Sequence, residues 1–273
     1  LAFNLVFIDL HSTLGLTKST AVRASFVSAG VWWAGFGLWA LSRLRDRPSA
    51  QDADGRVAGA RRRVTAAISV LRSLPFTRRY LAAYLLFADA ISAVIALSAT
   101  YITHQLFHDS ASQASTFLFA LILAIQFIAM AGALLFDRVA RVLGAKRTIL
   151  ICISVWCVII TYAYADLHTK LEAVAVGVAI GVVLGGTQSL ARSLFSQLVP
   201  AGLEATFFGI FEVANQGTSW IAPLLFTVVV DATGSFRLAI LSLLVLFVAG
   251  GILLAATKMG RVGAGGAPLP VPD

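Results

Sequence analysis

Phe236–Thr257 reads FRLAILSLLVLFVAGGILLAAT, twenty-two residues with a single charge, Arg237, next to the start. As a helix rising 1.5 Å per residue it would be about 33 Å long, enough to cross a hydrocarbon core about 30 Å thick. Six earlier stretches have the same character: 20–42, 79–102, 115–136, 147–166, 173–192 and 205–229. Seven such runs in one chain predict an all-α membrane protein that crosses the bilayer repeatedly.

The composition agrees. Of 273 residues, 59% are hydrophobic and only 12% charged. A soluble domain carries about twice that charged fraction. This apolar surplus needs lipid as its solvent. The net charge of +8 would raise nucleic-acid binding in a soluble protein. Here the basic residues lie between apolar runs, where they orient helices, so no nucleic-acid partner is implied. Cys152 and Cys157 sit five positions apart in one apolar run and point in different directions on a helix. They suit packing, and neither a disulfide nor a metal site. The chain has no G-x-S-x-G, H-E-x-x-H, Walker loop or C-x-x-C. It therefore reads as a non-enzyme without cofactor or metal.

The charges also set a topology. Of 21 lysines and arginines, 17 fall on one side if the segments cross in strict alternation. They lie in residues 43–79, in the turn around Gly144, at Arg192 and in the tail. By the positive-inside rule that side is cytoplasmic, and so is the C-terminus. Residues 43–78 form a long basic linker. Arg43–Gly55 is polar and expected to be disordered. Arg56–Leu74 places Val57, Val64, Ile68 and Leu71 near helical spacing beside Arg61, Arg62 and Arg63, as a helix lying on a membrane surface would. The tail, 258–273, is Gly/Pro-rich and expected to be disordered. The opening run Leu1–Ile8 is apolar but too short to span and lacks the basic start of a signal peptide. We read 1–19 as the end of a truncated helix with a following extracytoplasmic loop, so that an N-terminal part is missing.

This layout resembles the major facilitator superfamily, with two six-helix bundles joined by a long cytoplasmic loop. The turn LFDRVARVLGAKR, Leu135–Arg147, is similar to that superfamily's short-loop motif in Asp137, Arg138, Gly144, Lys146 and Arg147, with Arg141 between them. GGTQSLARSLFSQLVP (Gly185–Pro200), EATFFGIFE (Glu204–Glu212) and SWIAPL (Ser219–Leu224) are similar to the vacuole-effluxer family within it, as are Trp32-Trp33 and Asp89. The resemblance runs over about residues 1–257. It implies a C-terminal six-helix bundle, 79–257, preceded by the sixth helix of the other half, 20–42. It further implies efflux of small solutes, amino acids in the fungal members, and a home in a bacterial plasma membrane. The implied partners are a small-molecule substrate, membrane lipids and the absent N-terminal half.

Ionisable and polar residues at membrane depth are costly and face the bundle interior by default. Asp89 lies near the middle of its segment, with Ser92, Ala96 and Thr100 following at near-helical spacing. It is a candidate proton- or substrate-binding carboxylate, or a helix–helix packing bond. Glu212, Asn215, Gln216 and Ser219 share one helix face and suit a transport path or gate, or an interhelical network with Arg192 or Gln188. Arg192 pairs with Glu212 or Glu204 in one reading and snorkels to the interface in another. Gln126 is a path candidate or a packing bond. Gly177, Gly181 and Gly185 recur every four residues and permit close helix approach. His104, His108 and His168 read as surface residues, and Trp32, Trp33 and Trp39 as packing or interface anchors.

The leading function is a secondary transporter with rocker-switch alternating access. Asp89 would couple a proton, and the face of Glu212, Asn215 and Gln216 would line the path. A non-transporting scaffold, an accessory subunit and a lipid scramblase are the alternatives.

Overall fold

The computed structural model describes residues 15–43, 68–107, 111–200 and 203–257, together with 4, 7, 8, 10, 13 and 65. Most of the linker, His108, and the tail from 258 lie outside the described residues, and with them most of the expectations placed there; of the helix expected over Arg56–Leu74, residues 68–73 are described and helical. The chain divides into two compact units, Leu1–Gly59 and Ala60–Asp273.

The first unit carries one described long helix, α1, Lys18–Arg43. The Asn4 side chain ties the preceding segment to it, donating to the Ser25 carbonyl at 3.2 Å and accepting from Ser28 Oγ at 2.9 Å. Trp32 packs at a tilt against Phe36, ring centres 4.5 Å apart, and Arg43 lies over the Trp39 ring. Trp32, Trp33 and Trp39 are all exposed.

The second unit contains α2 (Pro75–Phe107), α3 (Ala111–Leu143), α4 (Ala145–Asp166), α5 (Lys170–Gln197), α6 (Glu204–Thr218), α7 (Ile221–Thr233), α8 (Phe236–Ser242) and α9 (Leu244–Ala256). Pro75 occupies the first position of α2, where a missing N–H costs nothing. The span therefore begins at Pro75 rather than at 79. Two apolar runs that read as single helices are broken. The run over 204–233 breaks at Ser219–Trp220, and the run over 236–256 at Leu243. Counting each broken pair as one, seven helices among the described residues are long and apolar enough to cross a membrane. This is a multi-pass integral membrane protein.

Six of those spans form the bundle. α5 packs along α3 and against α4, and α9 fills the angle between α2 and α4. With lipid as solvent there is little hydrophobic drive between helices, so close fit and interhelical hydrogen bonds hold the bundle. The α3–α5 contact shows the fit. A Cβ at Gly185 would overlap the Ala129 carbonyl, and one at Gly132 would overlap the Val182 carbonyl. Gly181 and Gly177 press in the same way on Ile128 and Leu121. The polar ties run from α2 and α4 to α5 and its end. Tyr80 donates to the Ala191 carbonyl at 2.7 Å, Thr77 to Leu198 at 3.0 Å, and Trp156 Nε1 to Thr187 Oγ1 at 3.3 Å. Trp156, fully buried, also stacks on Phe247 of α9 at 5.6 Å. Other hydroxyls, such as Ser154 and Thr161, bond back to carbonyls of their own helix, which lets them sit among apolar residues.

Replacing Gly185 by Leu should lower the stability of the bundle in detergent by about 1–3 kcal/mol or more, since backbone rather than a flexible side chain meets the new atoms. Thermal unfolding of the purified variant checks this. An unshifted melt would show that the α3–α5 seam can open without cost.

Candidate functional site

α2 turns Tyr84, Ala88 and Ile91 with Ser92 to one face, at helical spacing. α5 brings Thr187, Gln188 and Arg192 opposite, and α6 adds Asn215. Together with Phe87 they enclose a cavity of about 100 Å³ with a mixed polar and apolar wall. Its base is aromatic. Tyr84 stacks on buried Phe211 at 4.3 Å, Phe87 meets Tyr84 edge-on at 5.4 Å, and Phe195 leans on Phe211 at 4.6 Å. Thr187 is held in place by the Trp156 contact and by its own bond to the Val183 carbonyl at 2.7 Å.

One charged residue, Arg192, lines the cavity, and it faces Glu212 of α6. Arg192 Nη2 lies 3.9 Å from Glu212 Oε2, and Gln216 Nε2 donates to Glu212 Oε1 at 3.2 Å. At 3.9 Å the ions attract but share no direct hydrogen bond. Both side chains are half or more exposed within this chain, 66% and 50%, so the pair is worth at most about 1 kcal/mol in water. It is a weak link. Arg192 thus faces Glu212.

Asp89 does not line the cavity. Its neighbours Ala88, Ile91 and Ser92 do, and the helical turn aims Asp89 elsewhere. The side chain is buried, 3% exposed, and Oδ2 accepts the Ala222 N–H at 2.8 Å. Ala222 is the second residue of α7, one of the positions whose N–H has no partner in its own helix. Oδ1 has no hydrogen-bond partner among the described residues. The sequence left Asp89 as a coupling or substrate carboxylate or as a helix–helix bond; the structure shows such a bond, at a helix break, and turns Asp89 from the cavity because neighbouring helical residues diverge by about 100°.

Gln126 also stays away. It is exposed on α3 and lines no described cavity. Within the Glu212 face, Asn215 reaches the wall, while Gln216 acts on Glu212 and Ser219 closes α6 with Oγ on the Gln216 carbonyl at 2.7 Å. Tyr84, Phe87 and Thr187 were not singled out from sequence. Tyr84 and Ser92, two turns apart on an apolar segment, were the available signal.

The turn between α3 and α4 explains its residues locally. Gly144 has φ +85°, a conformation that side chains rarely adopt. Arg141 clasps Asp137 one turn earlier, with Nη2 at 2.6 Å and Nε at 3.1 Å from the same oxygen. Lys146 reaches across the bundle and donates to the carbonyls of Ala255 and Thr257, both at 2.8 Å. It thus caps the end of α9, where unpaired carbonyls and the helix dipole favour a cation. Arg138 bonds back to the Leu134 carbonyl at 3.3 Å, and Arg147 is exposed. Among the described residues no three His, Cys, Asp or Glu side chains converge as metal ligands would.

An all-α, multi-pass bundle with a polar cavity walled by its helices is the architecture of a major-facilitator-type membrane protein. A family profile described as "Vacuole effluxer Atg22 like" matches residues 1–263, and the chain belongs to that family. Autophagy-related protein 22-2 of Emericella nidulans is 30% identical over 268 residues, covering 87% of this chain and 44% of the relative. The uncharacterized MFS-type transporter YxiO of Bacillus subtilis is 24% identical over 250 residues, covering 92% and 57%. Autophagy-related protein 22-2 of Aspergillus niger is 30% identical over 285 residues, covering 89% and 46%. The chain spans about half the length of the curated relatives it matches.

Lys146→Met should destabilise the bundle by about 1–2 kcal/mol by stripping the α9 cap. Arg141→Gln should cost under about 1 kcal/mol, because its pair is exposed. Parallel melts of the two variants test the ranking, and equal losses would contradict it.

Proposed function

We propose that this bundle is half of a secondary transporter that exports a small polar solute, and that the solute is a zwitterionic amino acid. The carrying observation is the loose pair that Glu212 makes with Arg192, a residue of the cavity wall that Tyr84 and Phe87 also line. A zwitterion presents a carboxylate and an ammonium a few ångströms apart. It can take the Arg192 guanidinium on one side and the Glu212 carboxylate on the other, so neither protein charge is left unpaired when their own weak contact opens. Asn215, Gln188 and Ser92 add neutral donors and acceptors. Tyr84 and Phe87 offer a surface for the solute's apolar part.

Alternating access needs a second bundle to rock against. The relatives are roughly twice as long, and the rest of such a chain would supply it. The family description, an effluxer, supports export. Asp89 is the proton-coupling candidate. It is buried, has an unpartnered oxygen and has no ion-pair partner among the described residues. The basic side, with the Gly144 turn and the C-terminus, would face the cytoplasm. The Bacillus relative supports a bacterial plasma membrane, whereas the family description points to the vacuole for fungal members.

Transport of labelled neutral amino acids by the full-length protein in proteoliposomes tests this reading. Arg192→Gln and Glu212→Gln should each raise KM about 10- to 100-fold, the worth of a charge-assisted hydrogen bond. Amino-acid esters should lose their disadvantage only in the Arg192 variant. Asp89→Asn should abolish the pH dependence of uptake with insertion intact. Unchanged KM in both charge variants would sink the zwitterion site, and retained pH dependence would remove Asp89 from coupling.

A further inference from the structure

The 204–233 span has two arms held in different ways. α6 buries only Phe207 and Phe211, and a Cβ at Gly209 or Gly217 would meet nothing. α7 buries Ala222 and Phe226; both arms pack on α2, and α7 packs on α8 as well. Between the arms, Ser219 has φ −62° and ψ −1°, and Trp220 φ −96° and ψ −16°. Both ψ values lie well above the helical mean near −42°, so the rod is already unwound there. Pro223 follows at the third position of α7. Its ring lacks an N–H and crowds the carbonyl four residues back, which is Ser219.

A break at membrane depth leaves backbone groups that hydrocarbon cannot satisfy. On the α6 side the local hydroxyls meet this need. Thr218 Oγ1 donates to Ala214 at 3.1 Å and to Asn215 at 3.3 Å, and Ser219 Oγ to Gln216 at 2.7 Å. On the α7 side the partner comes from another helix, the Asp89 carboxylate on the Ala222 N–H. Ala222 is fully buried, so no water can replace that acceptor.

We propose that Asp89 is a positioning residue that pins α7 to α2 and makes Ser219–Trp220 a hinge, on which α6 carries Glu212 and Asn215 toward and away from Arg192 and Gln188. α7 is the fixed arm and α6 the swinging one. The cavity then opens by movement of a single wall, since α2 and α5 remain tied through Tyr80 and Thr77. The swing matters for transport only if the cavity is the solute site proposed above, but the pin itself can be measured without any solute.

The experiment is amide exchange of the full-length protein in lipid nanodiscs, read on peptides covering 219–226, with peptides of α4 and α9 as controls. Asp89→Ala should speed exchange at Ala222 about tenfold or more while the controls hold. Asp89→Asn keeps a side-chain carbonyl that can accept the same N–H, and should stay within about threefold of wild type. Wild-type exchange in the Ala variant would overturn the proposal. If the Ala variant loses protection throughout, the Asn variant decides: protection at Ala222 supports the pin, and tenfold faster exchange confined to 219–226 refutes it. The two readings of Asp89 separate in the Asn variant. Protection follows the acceptor and pH-dependent transport follows the carboxylate, so retained pH dependence with retained protection ends the coupling role and leaves the hinge standing.

Discussion

A helix can be interrupted inside a bilayer only where each freed backbone group finds a partner in the protein. The bond from the Ala222 N–H to Asp89 meets that condition for one such group in the broken span of α6 and α7. The rest of the bundle is arranged so that this bond can exist. α2 must lie against the start of α7, which requires α9 and α5 to hold α2 in place. α5 in turn is seated on α3 through glycines that let backbone meet backbone. α6 brings Asn215 to the cavity and Glu212 to Arg192.

The bundle thus separates rigidity from movement by the kind of contact used. Where helices must not slide, buried hydroxyls and indoles donate to fixed acceptors, as Tyr80, Thr77 and Trp156 do. Where a wall must move, contacts are aromatic or ionic and long. Stacked rings such as Tyr84 and Phe211 can slip without leaving a polar atom unpaired, and an ion pair at 3.9 Å has little to lose. The cavity sits on the boundary between these two regimes, with α2 and α5 as its fixed side.

The charged turn around Gly144 belongs to the fixed side as well. Its residues look like a repeated sign pattern, yet each has a distinct task. Asp137 and Arg141 pair within one helix, Gly144 turns the chain, and Lys146 closes the far end of α9. A single lysine so joins the start of α4 to the last helix at that end of the bundle.

Length and apolarity alone determined that this chain is a helical membrane protein with seven spans, because hydrocarbon thickness imposes about 20 residues on any crossing helix. Spacing also marked Gly177, Gly181 and Gly185 as a close-packing stripe, and burial cost marked Asp89 and Glu212 as residues needing partners. Who those partners are was decided by tertiary structure. Lys146 meets carbonyls 109 and 111 positions away, and Asp89 meets an amide 133 positions away. No local pattern encodes such distances. The break at Ser219–Trp220 was half legible, since Pro223 was visible, but a proline can kink a helix or start one, and only the acceptor waiting on α2 settles which. The cavity was the least legible feature. Its wall mixes Tyr84, Phe87 and Thr187, ordinary residues of apolar helices, and they become a site only because the packing of α2, α5 and α6 leaves space between them.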